Sequence, residues 1–241
     1  MSLTKTQALL ALGVIALIAG GGATSSDAAT IAGKVTFGGS APESRVIKMS
    51  ADPNCTQSHP DGVANAPFTV SDGGGVADVV VYVKGVTGSH TAPTEAAVLD
   101  QNGCMYNPRA VALMVGQKLQ IRNSDPTLHN IHPRPKKNAE FNVGQPRQGM
   151  KSTKTFSEAE LLIPVACDVH PWMQAYISVF DHPFFAVTGA DGSFEITGLA
   201  AGQYEVEAVH PTLKTVSGTI TVTDGAPASL DLAYAADAAA K

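Results

Sequence analysis

The stretch ELLIPVACDVHPWMQAYISVF, residues 160–180, places a loop of metal-binding side chains between two β-type runs. ELLIPVA and AYISVF are short apolar segments typical of strands, and CDVHPWM lies between them. This loop, residues 167–173, is here called the metal loop. It holds Cys167, His170 and Met173, whose sulfur and nitrogen atoms are soft or borderline metal ligands. Because Pro171 disfavours a helix and a straight strand would point the side chains to opposite faces, they can converge only in a tight loop between two strands.

Short β-type runs separated by Gly, Pro, Asn and Asp clusters continue along the chain, and helical periodicity is nearly absent after the N-terminal segment. The other runs are TIAGKVTF (30–37), ADVVVYVK (77–84), AAVLD (96–100), RAVALMV (109–115), KLQIRN (118–123), SFEITG (193–198), QYEVEAVH (203–210) and VSGTITVTD (216–224). Many short strands with regular turn signals favour an all-β antiparallel sandwich or barrel.

Residues 1–29 have the pattern of a secretory signal peptide. A lysine near the start precedes an apolar run of 12 residues and then small residues, with cleavage options near Ala23, Ala28 and Ala29. The apolar run is too short to span a bilayer comfortably, although an uncleaved anchor is the alternative. We expect a periplasmic or secreted protein with no transmembrane segment after cleavage.

The formal net charge of −5 does not fit a general nucleic-acid binder. Residues 134–154 nevertheless carry six Lys and Arg side chains and a single Glu. This basic segment either steers an acidic redox partner or is a solvated face of edge strands, where lysines discourage aggregation.

The three cysteines divide into one candidate pair and one single thiol. Disulfides persist in exported proteins. Because Cys167 lies in the metal loop, Cys55 and Cys104 are the natural disulfide candidates, and two buried free thiols are the alternative.

The segment FAVTGADGSFEITGLAAGQYEVEAVHP contains a DGxF turn followed by GLxxGxY and a strand. The motif residues are Asp191, Gly192, Phe194, Gly198, Leu199, Gly202 and Tyr204. They resemble the carboxypeptidase regulatory-like, or transthyretin-like, family, whose members open with a strand like IAGKVTFGG, here at residues 31–39. The resemblance implies a smaller β-sandwich in which N-terminal strands pair with C-terminal ones and the middle region is inserted between them.

A further imidazole for the metal loop is available in NSDPTLHNIHPRP, which holds His129 and His132. If this stretch is extended, side chains three residues apart cannot both point at one metal. Asn130 follows His129 directly and can brace the metal loop by hydrogen bonding across to it. Two imidazoles, a thiolate and a weak axial Met form the ligand set of blue-copper electron-transfer sites.

The spacing C-x2-H-x2-M together with H-N-x-H resembles the cupredoxins, and most of all the amicyanin group, over about residues 95–182. The strands that lead to the first imidazole are similar as well, in Val115, Gly116, Leu119, Ile121 and Asn123. The resemblance implies a Greek-key cupredoxin sandwich with one mononuclear type 1 copper that cycles between Cu(I) and Cu(II).

Residue by residue, the resemblance implies that His129, Cys167 and His170 are copper ligands and that Met173 is the axial ligand. Asn130 matches the structural asparagine of the family. The ring edge of His170 is expected to meet solvent in an apolar patch and to serve as the electron port. The only tryptophan of the chain, next to Pro171, either forms part of that patch or caps the core.

The sequence therefore predicts a two-lobed β protein. Its parts are a signal peptide (1–29), an N-terminal β region that is able to pair with the C-terminal lobe (30–94), a cupredoxin copper domain (95–182), a carboxypeptidase regulatory-like lobe (183–235) and a frayed tail (236–241).

The predicted function is one-electron transfer between redox partners, such as a cytochrome or a dehydrogenase, without enzymatic activity. A copper carrier or storage protein is one alternative, although its Met-rich or His-rich surface is not evident. A metal-free adhesion or carbohydrate-binding module is another. At the site itself, a zinc site that includes His132 and a sandwich that has lost its metal are the remaining alternatives.

Overall fold

The computed structural model describes residues 28–239, which form nineteen strands and one short helix, α1 (Pro53–Ser58). The strands are β1 (Ala29–Phe37), β2 (Arg45–Ile47), β3 (Val63–Asn65), β4 (Val80–Val83), β5 (Ala97–Asn102), β6 (Met105–Asn107), β7 (Ala110–Met114), β8 (Leu119–Asn123), β9 (His129–Pro133), β10 (Val143–Gln145), β11 (Lys151–Lys154), β12 (Glu160–Ala166), β13 (Gln174–Phe180), β14 (Phe185–Val187), β15 (Ser193–Leu199), β16 (Gly202–His210), β17 (Leu213–Val222), β18 (Pro227–Ser229) and β19 (Leu232–Tyr234). Every β-type run seen in the sequence overlaps one of these strands, and the all-β prediction is confirmed.

The middle of the chain forms a two-sheet sandwich, here called the central lobe. One sheet has the order β10-β9-β12-β13-β7 and the other has the order β11-β8-β5-β6. Because β7 lies in the first sheet and its chain neighbours β6 and β8 lie in the second, the chain crosses between the sheets. Side chains such as Leu99, Ile121 and Ile177 are fully buried in one core cluster.

A second sandwich, the terminal lobe, combines strands from both ends of the described chain. Its sheets are β15-β1-β18, with β19 also paired to β1, and β14-β4-β16-β17. β1 is antiparallel to β15, with Ile31 opposite Ile196, and parallel to β18 and β19. The strand near the N-terminus therefore shares a core with the C-terminal strands, and the central lobe is inserted between them.

The DGxF turn of the terminal lobe requires two glycines that are far apart in sequence. Gly192 has a φ of +82°, and a Cβ there would lie 2.4 Å from the Val35 carbonyl oxygen. A Cβ on Gly75 would lie 1.9 Å from the Asp191 carbonyl oxygen. The Asp191 side chain accepts hydrogen bonds from the Ser193 N–H and hydroxyl at 3.1 and 2.6 Å. The turn is thus packed directly against backbone, with no room for side chains.

Residues 45–65, here called the capping segment, lie against the central lobe. They comprise the antiparallel pair β2-β3 and α1, which begins with Asp52 as N-cap and Pro53 at the first helical position. Cys55 in α1 is disulfide-bonded to Cys104, so the predicted disulfide is confirmed. The region 30–94 is therefore divided, since β1 and β4 belong to the terminal lobe and the capping segment to the central lobe.

The predicted signal peptide lies almost entirely outside the part of the chain that the structure describes. Residues 1–27 of the predicted signal peptide lie outside the described residues, and Ala29 is already the buried first residue of β1. Within residues 28–239, no helix is long and apolar enough to cross a membrane.

The prediction of a frayed tail at 236–241 is wrong for the four of these residues that the structure describes. Ala238 is buried in the core of the terminal lobe, and its carbonyl accepts a 2.9 Å hydrogen bond from the Lys214 N–H. Ala239 forms a bridge with Leu213. A small apolar side chain and two backbone contacts are sufficient to dock this segment on β17.

Candidate metal centre

The metal loop is held between two strands and closed by its own backbone. β12 ends at Ala166, which pairs with His132 of β9, and β13 begins at Gln174. The Met173 N–H donates to the His170 carbonyl at 2.9 Å, and the Cys167 N–H donates to the Met173 carbonyl at 3.3 Å. These bonds fold the loop back on itself, so its two ends meet beside β9.

Three side chains converge in the central lobe. The Nδ1 atoms of His129 and His170 are 2.9 Å apart, and Cys167 Sγ is 3.9 Å from His170 Nδ1. One donor atom from each residue lies within 4.8 Å of the others. All three residues are buried, with exposed fractions of 0–2%. Two nitrogens and one sulfur thus share a buried pocket, and these donor types are able to bind a transition metal.

Met173, the predicted axial ligand, is completely buried in the same core cluster as Cys167. Its carbonyl is bound to the Cys167 N–H, so the two residues are neighbours at the base of the loop. The structure thus brings the two imidazoles and the thiol together and places the thioether side chain in the core that surrounds them.

Each imidazole is held by a carboxylate on the side away from the donor cluster. Asp125 Oδ2 lies 2.9 Å from His129 Nε2, and Asp52 Oδ2 lies 3.3 Å from His170 Nε2. Because an ionised carboxylate only accepts hydrogen bonds, each Nε2 carries a hydrogen. The Nδ1 atoms therefore face the donor cluster, as metal ligation by both rings requires.

Asp52 and Asp125 were not predicted to contact the metal loop. Asp125 lies four residues before His129 in NSDPTLH, a spacing that alone does not indicate contact. Asp52 precedes Pro53, which is a helix-start signal. Its second role, at an imidazole 118 residues away, has no local signature.

The protonation of the cluster follows from burial and hydrogen bonds. Burial opposes the charged form of His129, but its hydrogen bonds to Asp125 and Cys167 raise its pKa to about 9. Burial, together with the neighbouring His129 charge, lowers the pKa of His170. Burial would raise the pKa of the Cys167 thiol, but hydrogen bonds from His129 and nearby backbone groups lower it overall. A lowered thiol pKa makes it easier for Cys167 to lose its proton, which metal binding through sulfur requires.

Asn130 joins β9 to the metal loop. Its Oδ1 accepts hydrogen bonds from the Asp168 N–H at 2.8 Å and from Cys167 Sγ at 3.3 Å. Its Nδ2 donates to Asn142 Oδ1 and to Asp168 Oδ2. One side chain thus ties the strand that begins with the first imidazole to the loop that carries the thiol.

His132 lies outside the donor cluster. Its ring contacts the carboxylates of Asp168 at 3.1 Å and Glu140 at 2.6 Å, on the partly exposed side of β9. Alternation along β9 turns this ring away from the pocket that His129 enters.

The expectation that the ring edge of His170 meets solvent is wrong. His170 is only 2% exposed, because Asp52 covers its Nε2 at 3.3 Å and Cys55 Sγ lies 3.7 Å from the same atom. The ring of Trp172 lies 5.0 Å from that of His170, and its Nε1 donates to the Cys104 carbonyl at 3.1 Å. The capping segment and its disulfide close the edge that was expected to be open.

Part of the basic segment lies on a sheet edge. Lys151 and Lys154 belong to β11, an outer strand of its sheet, and Lys154 Nζ lies 5.0 Å from the centre of the Phe141 ring. Lysines on an outer strand oppose edge-to-edge pairing with another chain. This placement agrees with the interpretation of the segment as a solvated face of edge strands.

Comparison with known families places one domain in the chain. Residues 170–235 match the family model described as a carboxypeptidase regulatory-like domain. The match covers most of the terminal lobe and, at its start, the end of the metal loop and β13 of the central lobe. No curated protein matches the chain.

Solved structures similar to part of the chain include copper proteins. A Cu-containing nitrite reductase from Thermus scotoductus is 17% identical, with a TM-score of 0.32, and the match covers 40% of this chain but only 25% of that one. A purple cupredoxin from Nitrosopumilus maritimus is 21% identical over 34% of this chain and 98% of its own, with a TM-score of 0.30. A Cu(I) amicyanin variant is 22% identical over 41% and 97%, with a TM-score of 0.31.

Proposed function

We propose that this protein is a type 1 copper protein that carries single electrons between redox partners. The observation that carries the proposal is the convergence of two imidazole Nδ1 atoms and one cysteine sulfur in a buried pocket. A His2Cys donor set with a buried methionine nearby is the set that copper electron-transfer sites use. Copper held there supplies a one-electron couple between Cu(I) and Cu(II).

The side chains of the pocket support this role because hydrogen bonds hold each of them in place. Asp125 holds His129 and Asp52 holds His170 from the outer side, while Asn130 holds the thiol. Ligands that are already positioned change little between two oxidation states, so a transferred electron requires little rearrangement. Burial of all three donors excludes water and favours electron exchange over chemistry on a bound substrate.

The same geometry favours copper over zinc. The zinc alternative takes His132 as its fourth ligand, but that ring is engaged by Asp168 and Glu140 outside the pocket. The side chain that is buried with the donors is instead the thioether of Met173. Thioethers suit copper better than zinc.

Export to an oxidising compartment and a protein redox partner, such as a cytochrome or a dehydrogenase, complete the proposal. The N-terminal sequence pattern and the Cys55–Cys104 disulfide support export. Because the donors are buried, the partner exchanges electrons through the protein surface and does not contact the metal.

The proposal is tested by spectroelectrochemistry of the purified mature protein after loading with copper. We expect an intense thiolate-to-copper band that disappears on reduction and returns on oxidation, with one electron per protein. Met173→Leu should retain the band and shift the potential, whereas Met114→Leu, a matched change at a buried methionine of β7, should leave both unchanged. Release of copper on each reduction would favour the carrier alternative, and the absence of a reversible couple would exclude electron transfer.

A further inference from the structure

The capping segment places a carboxylate on a metal ligand. We propose that Asp52 is a positioning residue that holds His170 with its hydrogen on Nε2 and its Nδ1 toward the copper, and that this contact stabilises Cu(II) relative to Cu(I). The inference rests on the proposed function of the site. It concerns a contact supplied from outside the central sandwich, by residues that the sequence did not connect with the metal loop.

The two oxygens of Asp52 have separate roles. Oδ1 accepts hydrogen bonds from the Asn54 and Cys55 N–H groups at 2.7 and 3.3 Å and so begins α1. Oδ2 accepts from the Thr127 hydroxyl at 2.7 Å and lies 3.3 Å from His170 Nε2. Because the first oxygen is held by the helix start, the second is directed at the imidazole in a fixed position.

The short helix that begins at Asp52 is anchored to the central lobe by several contacts. Cys55 is covalently bound to Cys104, and the His59 ring contacts the Gly103 carbonyl at 2.7 Å. Thr127, which holds the carboxylate directly, lies two residues before His129. The Asp52 carboxylate is therefore held by the turn that leads to His129. A movement of the capping segment would disturb the surroundings of both His129 and His170.

A fixed carboxylate changes the charge and the donor strength that the bound metal experiences. A hydrogen bond from Nε2 to a carboxylate makes the imidazole a stronger donor and brings a negative charge close to the metal. Both effects favour the more highly charged Cu(II). The side chain of Asp52 is 15% exposed, so solvent screens this charge only in part. Asp125 acts in the same direction on His129, but it belongs to the central sandwich itself.

The test is Asp52→Asn, because asparagine caps helices as well as aspartate does while it removes the charge. We expect the affinity for Cu(I) relative to Cu(II) to rise about tenfold, the lower end of the effect of losing such a partner. For a one-electron couple, this is a rise in reduction potential of about 59 mV. The matched control is Asp61→Asn, which removes one exposed charge from the same capping segment.

The inference fails if the potential of Asp52→Asn moves no further than that of Asp61→Asn while both proteins stay folded.

A second measurement needs no copper. In the metal-free protein, ¹⁵N NMR should show the His170 hydrogen on Nε2, and Asp52→Asn should weaken this preference. A wild-type ring protonated on Nδ1 alone would overturn the inference. If the protein bound no copper, the proposed function would fail, yet the NMR result would still decide the role of Asp52.

Discussion

At the scale of single residues, Asn130 shows how one polar side chain organises the site. It is buried, and it bonds to the metal loop, to Asp168 and to Asn142 at once. A buried polar network of this kind is costly to break, because each partner left without a hydrogen bond keeps its desolvation penalty.

Asn130→Ala should therefore lower the free energy of unfolding by about 1–3 kcal/mol. Chemical denaturation of the metal-free protein measures this loss. Asn142→Ala, at an exposed position in the same network, should cost less, within about 0.5 kcal/mol of wild type. Equal losses in the two variants would show that Asn130 is not the centre of the network.

The residues with a local sequence pattern are the ones that the sequence predicts as ligands. Cys167, His170 and Met173 share one loop, and His129 precedes an asparagine, so local patterns identify them as candidates. Asp52 was not found because its contact with His170 depends on how the capping segment folds over the lobe. No pattern in the sequence encodes that approach.

At the scale of elements, the disulfide and α1 act as one unit. Cys55 and Cys104 are separated by 49 residues, so the bond removes much of the freedom of this stretch in the unfolded chain. The covalent link also fixes α1, which has only six residues and would be marginal alone.

Replacement of both cysteines by serine should lower the free energy of unfolding by up to about 4 kcal/mol, from the chain-entropy model. Thermal and chemical unfolding of the oxidised wild type and of the double variant measure the difference. Unchanged stability would mean that the capping segment is held by its non-covalent contacts alone.

The DGxF turn supports a second prediction at this scale. Gly75→Ala would place a Cβ 1.9 Å from the Asp191 carbonyl oxygen, so the turn or the facing strand must shift. We expect a loss of about 2 kcal/mol or more in the free energy of unfolding. Gly73→Ala is the matched control, since no heavy atom lies within 4 Å of its Cβ. If Gly75→Ala is no worse than the control, the turn is not packed as described.

Strand positions were predicted well because alternation and turn residues are local signals. The three-residue strands β2, β3, β6, β10, β18 and β19 and the four-residue strand β11 were missed, since so few residues carry too little pattern. β9 was also missed. Its sequence HNIHP is mostly polar and lacks the apolar alternation typical of a strand, although most of its residues are buried.

At the scale of the whole molecule, His210 lies where the two lobes meet. It ends β16 in the terminal lobe, and its pKa is lowered to about 4 by burial and by the charge of Arg109. Arg109 precedes β7 of the central lobe and donates to the Ala66 carbonyl at 3.2 Å. A neutral, buried imidazole at this position links the stability of the terminal lobe to pH.

The sign follows from proton binding. Between pH 6.5 and about 4 the unfolded chain protonates this histidine and the native protein does not, so stability falls as pH falls. The loss should approach about 3 kcal/mol at the lower end. His210→Gln should unfold with a flatter pH profile over this range. Parallel profiles for wild type and variant would contradict the assignment.

The order of the lobes along the chain was inferred from a resemblance and not from local pattern. The pairing of β1 with β15, β18 and β19 joins residues at least 159 positions apart, the separation of Lys34 from Ser193, and only long-range packing determines it. The division of residues 30–94 between the two lobes follows from the same packing, together with the disulfide.

The central claim is that His129, Cys167 and His170 form a type 1 copper site, and Cu(II) titration followed by absorption and EPR tests it most directly. We expect one equivalent to produce an intense blue thiolate-to-copper band with narrow hyperfine splitting, and Cys167→Ser to abolish both. Copper binding that is weak, colourless or indifferent to Cys167→Ser would contradict the account.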